Sequence, residues 1–190
     1  MQLKKNMNKK IFIFFALFFI VNTIYAKAEV MILKLKDGDV VIELFSDIAP
    51  NHVKRFTELS KNKLYDGVVF HRVIDGFMDQ TGDVKFGNSN SETYDLNRAG
   101  TGGSDLPDLK AEFSNLPHER GTLSMARSND PNSANSQFFI CFKSASHLDR
   151  QYTVFGSVIQ GMEFVDLIKR GQGSNGEVSN PDKIISLSSK

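Results

Sequence analysis

The stretch VMILKLKDGDVVIELF, residues Val30–Phe45, places two β-rich runs on either side of the pair Asp37-Gly38. An Asp-Gly pair between such runs is the strongest short-range signal for a β-hairpin, because both residues tolerate the backbone angles of a tight turn. The sequence therefore predicts that an antiparallel sheet begins here.

Further short β runs follow this hairpin along the chain. The runs VVFHRVI and FMDQTGD flank the turn pair Asp75-Gly76, which predicts a second hairpin. Three later runs, GTLSMAR, QFFICF and YTVFGSVI, are separated by turn residues, and the apolar run IISL lies near the end. Many short strands punctuated by turns favour a barrel or a sandwich.

Two segments have helical spacing instead. Residues 50–62 predict an amphipathic helix in which Pro50 suits the first turn, and EFVDLIKR predicts a second, short helix. Residues 85–107 are rich in Gly, Ser, Asn, Thr and Asp, which indicates a long surface loop. The expected fold is mainly β, a single domain over residues 29–190 formed by a closed antiparallel barrel with two helices, because closure removes exposed strand edges.

The first 28 residues have the order of an export signal. Several lysines precede the apolar run IFIFFALFFIV, and the small-residue pattern Ala26-Lys27-Ala28 follows. The apolar run is shorter than the roughly 20 residues that cross a bilayer. We expect a signal peptide at residues 1–28, a mature start at Glu29, and a periplasmic protein without stable membrane insertion. Cleavage after Ala26 and an uncleaved anchor are the alternatives.

Charge and cysteine content narrow the possible partners. The leader holds five lysines and no acidic residue, so residues 29–190 carry 18 basic and 22 acidic side chains, a net charge of about −4. No basic patch for nucleic acid is indicated, and nucleic acid is not an expected partner. The single cysteine, Cys141, excludes an intramolecular disulfide, and its apolar neighbours predict a buried, inert thiol.

The usual catalytic groups are scarce in this sequence. The histidines His52, His71, His118 and His147 are dispersed and form no H-E-x-x-H pair, which argues against a metal site. The nucleophile elbow G-x-S-x-G is absent. Ser124 with His71 stays open as a hydrolase pair, although a serine in a β run is more often structural, and His52 is expected on a solvated helix face. We expect a site that needs no acid, base, metal or cofactor.

Arg72 is an unusual residue for the second hairpin, because its neighbours are mainly apolar. If residues 70–74 form one strand, alternation places Phe70, Arg72 and Ile74 on one face and His71 and Val73 on the other. An arginine among large apolar residues extends to the rim, pairs with a carboxylate, or belongs to a functional site. The pattern alone leaves these alternatives open.

Four motifs give a resemblance to a known family. FHRVIDGFMDQTGD, GTLSMAR, SQFFICF and LDRQYTVFGSVIQGM, in this order and with these intervals, resemble the cyclophilins, which are peptidyl-prolyl cis-trans isomerases, and most of all their exported bacterial members. The resemblance covers about residues 30–187. It implies a closed eight-stranded antiparallel β-barrel capped by two α-helices. It also implies proline-containing polypeptides as partners, here unfolded or partly folded exported proteins, bound by a monomer.

The same resemblance implies a set of site residues. The catalytic residues would be Arg72, Phe77 and Gln80, and the substrate-binding residues would be His71, Met78, Ala126, Arg127, Phe139, Leu148, His147 and Tyr152. His71 either lines the groove or is simply packed. His147 and Tyr152 stand where many eukaryotic members have tryptophan and histidine, so that strong binding of cyclosporin-type inhibitors is not expected.

The implied chemistry weakens amide resonance, which sets a barrier of roughly 18–20 kcal/mol to rotation. At the twisted transition state the prolyl nitrogen regains a lone pair, and Arg72 would donate a hydrogen bond to it. Apolar side chains would hold the proline ring in a dry pocket while the amide oxygen passes Gln80. Such selective binding of the transition state is what catalysis requires. The alternatives are a non-catalytic chaperone or proline-peptide-binding module with the same groove, and a β-barrel that binds a small ligand.

Overall fold

The hairpin expected around Asp37-Gly38 is present in the computed structural model, which describes residues 29–190. Strands β1 (Glu29–Lys34) and β2 (Asp39–Leu44) run antiparallel and pair along their whole length. The predicted signal peptide lies outside the described residues. No helix in the described part of the chain is long and apolar enough to cross a membrane.

The helix expected next is α1 (Pro50–Lys61), and the predicted last residue, Asn62, is its carboxyl-terminal cap. Proline occupies the first turn, where its missing N–H leaves no intrahelical hydrogen bond unmade. Val53, Phe56 and Leu59 are buried at helical spacing, so α1 packs one apolar face against the sheet.

The prediction for His52 was wrong, because this side chain is fully buried. Its Nδ1 lies 2.7 Å from the Glu112 carboxylate, which also accepts hydrogen bonds from the backbone N–H groups of Asn51 and His52. Glu112 therefore covers the amino-terminal end of α1, where free N–H groups favour an anion. Helical spacing alone could not reveal a carboxylate 60 residues away along the chain.

Six more strands complete one sheet of eight antiparallel strands, ordered β3-β4-β6-β5-β7-β2-β1-β8. They are β3 (Arg72–Ile74), β4 (Met78–Thr81), β5 (Thr122–Met125), β6 (Phe138–Cys141), β7 (Val154–Gln160) and β8 (Ser186–Ser189). The short helix α2 (Met162–Val165) follows β7, and a single 3-10 turn (Ser146–Leu148) lies before β7. The prediction of a mainly β fold with eight antiparallel strands and two helices is confirmed.

The predicted full closure of the barrel is not found as a continuous ladder. β3 and β8 stand at the two ends of the sheet, and isolated bridges connect the chain around β3 with the segment before β8, such as Val69 with Lys183. These bridges draw the ends together, so the sheet is curled. Gly176 accepts a hydrogen bond from the Val73 N–H but takes a left-handed φ of 74°, so this segment does not continue as an extended strand.

The two faces of the curled sheet bury different clusters. Along β6, Phe138 and Ile140 point into the main core shared with α1, whereas Phe139 and Cys141 point to a smaller cluster on the other face. This alternation is the period-two pattern of a strand. The Cys141 thiol is buried as predicted, and burial raises its pKa to about 12, so the thiol is inert at neutral pH.

The predicted alternation along residues 70–74 holds only in part. β3 begins at Arg72, and Phe70 lies in the main core together with Val73. Phe70 therefore does not share a face with Arg72, because the strand begins only at Arg72, two residues after Phe70.

Candidate active site

Three adjacent strands bring three of the predicted site residues side by side. Arg72 on β3 is opposite Gln80 on β4, and Gln80 is in turn opposite Phe139 on β6. Directly opposite residues of antiparallel strands have Cβ atoms about 4.5–5.5 Å apart. Strand register thus assembles on one face residues that are up to 67 positions apart in the sequence.

A pocket of about 320 Å³ opens on this face. Nine of the eleven predicted site residues line it, namely Arg72, Phe77, Met78, Gln80, Ala126, Arg127, Phe139, Leu148 and Tyr152. The two others, His71 and His147, do not line this pocket. The structure therefore places nine of the predicted residues in the pocket lining and the two histidines outside it.

The apolar wall of the pocket is built from well-packed rings and aliphatic chains. Phe139, Met78 and Leu148 are nearly buried, and the Phe139 ring meets Tyr152 edge-on, with centroids 5.9 Å apart. His147 is exposed, and its ring packs against that of Phe77 with the two ring centroids 5.3 Å apart. A wall of packed apolar side chains is of the kind that accepts a small apolar ring.

Arg72 is held on two sides at the rim of this pocket. Its Nε donates a hydrogen bond to the backbone oxygen of Asn175 at 3.0 Å, and Nη1 donates to Gln80 Oε1 at 3.2 Å and approaches Met78 Sδ. Within residues 29–190, the second terminal nitrogen, Nη2, has no hydrogen-bond partner. Burial lowers the pKa of Arg72 from its usual value, but arginine keeps its charge in proteins. One charged donor is therefore left for a ligand.

Arg127 forms the opposite rim and is occupied by its own surroundings. Its guanidinium donates to the backbone oxygens of Gln151 and Ser128, and it lies over the Tyr152 ring at 4.4 Å from the centroid. These contacts tie the side chain down. Arg127 therefore shapes the rim, whereas Arg72 carries the free donor.

His71 lines a neighbouring cavity of about 650 Å³ that also includes Arg72 and Gln80. The imidazole is almost fully buried, and burial lowers its pKa to about 4, so the ring is neutral at physiological pH. It packs against Gly100, where an added Cβ would lie 2.9 Å from the ring. His71 is therefore a packed, neutral side chain in the wall of this neighbouring cavity, outside the pocket of about 320 Å³.

The hydrolase alternative fails on accessibility. The expected partner, His71, makes no hydrogen bond to Ser124. Ser124 pairs instead with His118, whose Nε2 lies 3.0 Å from Ser124 Oγ and whose Nδ1 lies 3.0 Å from Asp149 Oδ1. This hydrogen-bonded series of serine, histidine and aspartate has the order of a hydrolytic triad. However, Ser124 and His118 are fully buried, and the serine hydroxyl also donates to the backbone oxygen of Thr153. No substrate can reach this hydroxyl, so the array is structural.

Among residues 29–190, no group of three or more His, Cys, Asp and Glu side chains is placed to hold a metal ion.

Sequence reasoning missed two residues that support the site. Gln137 accepts a hydrogen bond from Gln80 Nε2 at 2.9 Å, and it lines a third cavity of about 460 Å³ beside the pocket. Asp83 is fully buried and holds the loop that carries Gly100 and Gly102. A polar residue directly before the buried run FFIC was the available signal for Gln137, whereas Asp83 looked like an ordinary turn residue.

Comparison with known proteins identifies the family. The family described as "Cyclophilin type peptidyl-prolyl cis-trans isomerase/CLD" matches residues 30–189. A Brucella suis protein named "Probable peptidyl-prolyl cis-trans isomerase" is 60% identical over 156 residues, which cover 82% of this chain and 79% of the relative. A peptidyl-prolyl cis-trans isomerase of Acinetobacter baylyi is 40% identical over 151 residues, 76% of this chain and 74% of that protein.

Solved structures share the fold. A cyclophilin-type isomerase of Cryptosporidium parvum matches with a TM-score of 0.74 at 27% identity, over 86% of this chain and 98% of that chain. Its structure in the presence of the dipeptide Ala-Pro matches with a TM-score of 0.72 at 28% identity, over 85% and 98% of the two chains. Sequence and structure together show that this chain belongs to the cyclophilin-type peptidyl-prolyl cis-trans isomerases.

Proposed function

We propose that this isomerase accelerates Xaa-Pro rotation in proteins exported to the periplasm, with Arg72 donating a hydrogen bond to the prolyl nitrogen. The observation that carries the proposal is the unpartnered Nη2 of Arg72 beside a pocket of about 320 Å³ that Phe77, Met78, Phe139 and Leu148 help to line. A related enzyme was solved in the presence of Ala-Pro, which supports a proline residue as the occupant of the pocket.

The geometry favours the twisted state over both planar isomers. A proline ring held against Phe139 and Met78 keeps its nitrogen at the rim, where Arg72 is held by Asn175 and Gln80. A planar amide nitrogen has no free lone pair, because resonance delocalises it. The hydrogen bond therefore forms only as the bond twists, which is how an interaction lowers the barrier without stabilising the ground state. Exclusion of water by the apolar wall strengthens this bond.

We expect the described domain to act as a catalyst on a whole protein substrate. A protein whose refolding is limited by a non-native proline isomer has a slow phase of tens to hundreds of seconds at 25 °C. The isomerase, added at a concentration well below that of the substrate, is expected to shorten this phase in proportion to the amount added. Stopped-flow fluorescence would measure it.

A non-catalytic chaperone or binding module would behave differently in the same assay. It would need amounts equal to the substrate, and it would raise the yield of folded protein or slow its formation without shortening the slow phase. That result would remove the catalytic role. Light scattering of the purified mature protein would also check the proposed monomer.

The export proposal rests on residues 1–28 and is tested separately. We expect mass spectrometry of the protein from the periplasmic fraction to give a mature start at Glu29, since Ala26-Lys27-Ala28 fits the pattern of a cleavage site. A chain that lacks residues 1–28 is the matched control and should stay in the cytoplasm. Recovery of the full chain with an intact leader from the cytoplasm would contradict export, and recovery from the membrane would indicate an uncleaved anchor.

A further inference from the structure

The turn that holds Arg72 contains a chemically reactive pair, Asn175-Gly176, which is the only Asn-Gly pair in the sequence. In such a pair the backbone nitrogen of glycine can attack the side-chain amide carbon of asparagine, because glycine has no Cβ to hinder the approach. Asn175 is exposed, and in the described part of the chain its side chain makes one hydrogen bond, from Nδ2 to Glu177 Oε1 at 3.2 Å. The amide is therefore accessible to this reaction.

The fold requires glycine at the second position of this pair. Gly176 has a left-handed φ of 74°, and an added Cβ would lie 2.5 Å from Ile74 Cγ1 and 2.9 Å from the backbone oxygen of Val73. The Gly176 carbonyl accepts a hydrogen bond from the Val73 N–H at 2.8 Å, which ties the turn to β3 beside Arg72. The geometry of the turn thus retains the residue that makes Asn175 reactive.

The main chain of Asn175 contacts the candidate active site directly. Its backbone oxygen accepts the hydrogen bond from Arg72 Nε at 3.0 Å. Nε and Nη2 lie on the same edge of the planar guanidinium, and Nη2 has no partner among the described residues. A carbonyl offers one oxygen to this edge, whereas a carboxylate offers two and accepts from both nitrogens. Conversion of this carbonyl to a carboxylate would therefore occupy Nη2.

Deamidation can perform this conversion in two steps. The Gly176 nitrogen loses its proton and forms a bond to Asn175 Cγ, the bond from Cγ to Nδ2 breaks, and ammonia leaves a succinimide ring. Water then opens the ring at one of its two carbonyl carbons. Opening at the side-chain carbonyl gives an ordinary aspartate. Opening at the main-chain carbonyl gives isoaspartate, in which the chain runs through Cβ and the former main-chain carbonyl is a free carboxylate.

We propose that Asn175-Gly176 is a modification site, at which isoaspartate formation turns the main-chain acceptor of Arg72 into a carboxylate that binds Nε and Nη2 together. The consequence for catalysis rests on the proposed role of Arg72 as the donor to the prolyl nitrogen. A guanidinium held in this way has no free donor for that nitrogen, whereas the apolar wall of the pocket is unchanged. The aspartate product keeps the carbonyl and leaves Nη2 free.

Incubation of the purified mature protein at mildly alkaline pH tests the reaction itself. We expect peptide mass spectrometry, with fragmentation that distinguishes isoaspartate from aspartate, to find isoaspartate accumulating at Asn175. Asn180 is an internal control, because it precedes Pro181, which has no N–H and cannot form the ring in this way. No isoaspartate at Asn175, or as much at Asn180, would overturn the proposal.

Two variants separate the carboxylate on Arg72 from other effects of incubation. Asn175→Asp adds the charge but keeps the main-chain carbonyl, so the isolated isoaspartyl form should have a kcat at least about 10-fold below that of this variant, since an aimed donor contributes about 100- to 1,000-fold. Their KM values should agree within about 2-fold. Asn175→Ser cannot deamidate, and its kcat should be the same before and after incubation. Equal kcat values for the isoaspartyl form and Asn175→Asp, without a change at Arg72, would overturn the proposal, as would an equal loss in incubated Asn175→Ser.

The ¹⁵N NMR signal of the Arg72 Nε–H separates failure of this inference from failure of the proposed function. In the isoaspartyl form this signal should shift relative to the unmodified protein, because its acceptor has become charged. An unshifted signal would overturn the proposal whatever the kcat. A shifted signal with an unchanged kcat would support the modification of the Arg72 acceptor and would contradict the catalytic role of Arg72.

Discussion

Replacement of Arg72 by alanine is expected to lower kcat for an Xaa-Pro peptide by a factor of about 100 to 1,000, the usual effect of removing one donor that is aimed at a developing charge. KM should change little, because in the proposed binding mode Phe139, Met78 and Leu148 hold the proline ring and the guanidinium does not. A protease-coupled assay, or NMR line exchange on the same peptide, gives both constants.

Lysine at this position should recover little of the lost activity. Arg72 donates from Nε and Nη1 to two fixed acceptors and still has Nη2 free, whereas a lysine ammonium is a single point on a flexible chain. Arg72→Lys keeps the charge and so tests whether the fork geometry matters. A nearly complete recovery would show that charge alone suffices and would contradict the directed hydrogen bond.

Arg120→Ala is the matched control for these variants. Arg120 forms a surface ion pair with Asp166 and lies outside the pocket lining. Exposed ion pairs contribute about 0–1 kcal/mol to stability, so this variant should fold and retain its activity. If Arg72→Ala were as active as Arg120→Ala, the proposed mechanism would be wrong although the family assignment would stand.

The parts of the fold that follow from local patterns were predictable. Turn pairs such as Asp37-Gly38 mark hairpins, and the alternation within QFFICF separates Phe139 from the core residue Phe138. The apolar pocket residues could be named because the family motifs span them. What the sequence could not show is set by long-range contacts, as with the buried His52 that depends on Glu112.

In the candidate site, too, local motifs identify residues, whereas long-range contacts set their orientation. The identity of Arg72 and Gln80 was available from the motif, but the orientation of Gln80 depends on Gln137, 57 residues further along the chain. The break in strand geometry before Arg72 was also hidden, because it results from bridges to the segment before β8. Local periodicity assigns residues to faces, whereas tertiary hydrogen bonds decide what those residues can do.

Asp79 is expected to reduce the stability of the folded protein. The side chain is fully buried on β4, opposite Val73 and Ile140 of the main core. Apart from the backbone amide of Ile140, no group in the described chain donates a hydrogen bond to its carboxyl oxygens. Burial raises the pKa of Asp79 well above its usual value, because the charged form loses its hydration.

The sign of the resulting pH dependence follows from linkage. The folded state holds a proton on Asp79 that the unfolded chain, with an ordinary carboxyl pKa, has released, so the contribution to stability is fully present below about pH 4. It is lost as the pH rises toward the pKa in the folded state, by up to about 1.4 kcal/mol for each pH unit. The free energy of unfolding should therefore fall across this range.

Asp79→Ala is expected to remove this pH-dependent part of the free energy of unfolding. It should also stabilise the protein at pH 7 by about 1–3 kcal/mol, the cost of an unsatisfied buried polar group. For a chain of this size each kcal/mol corresponds to about 2–4 °C in the melting temperature. Urea unfolding of both proteins from pH 4 to pH 8 measures the difference, and Asp47→Ala, which removes an exposed carboxylate, should follow the wild type within about 0.5 kcal/mol. Parallel curves for wild type and Asp79→Ala, or a less stable Asp79→Ala at pH 7, would contradict a buried carboxyl group that must stay protonated. Met78 and Gln80 point to the opposite face of β4, so the stabilised variant should keep its isomerase activity.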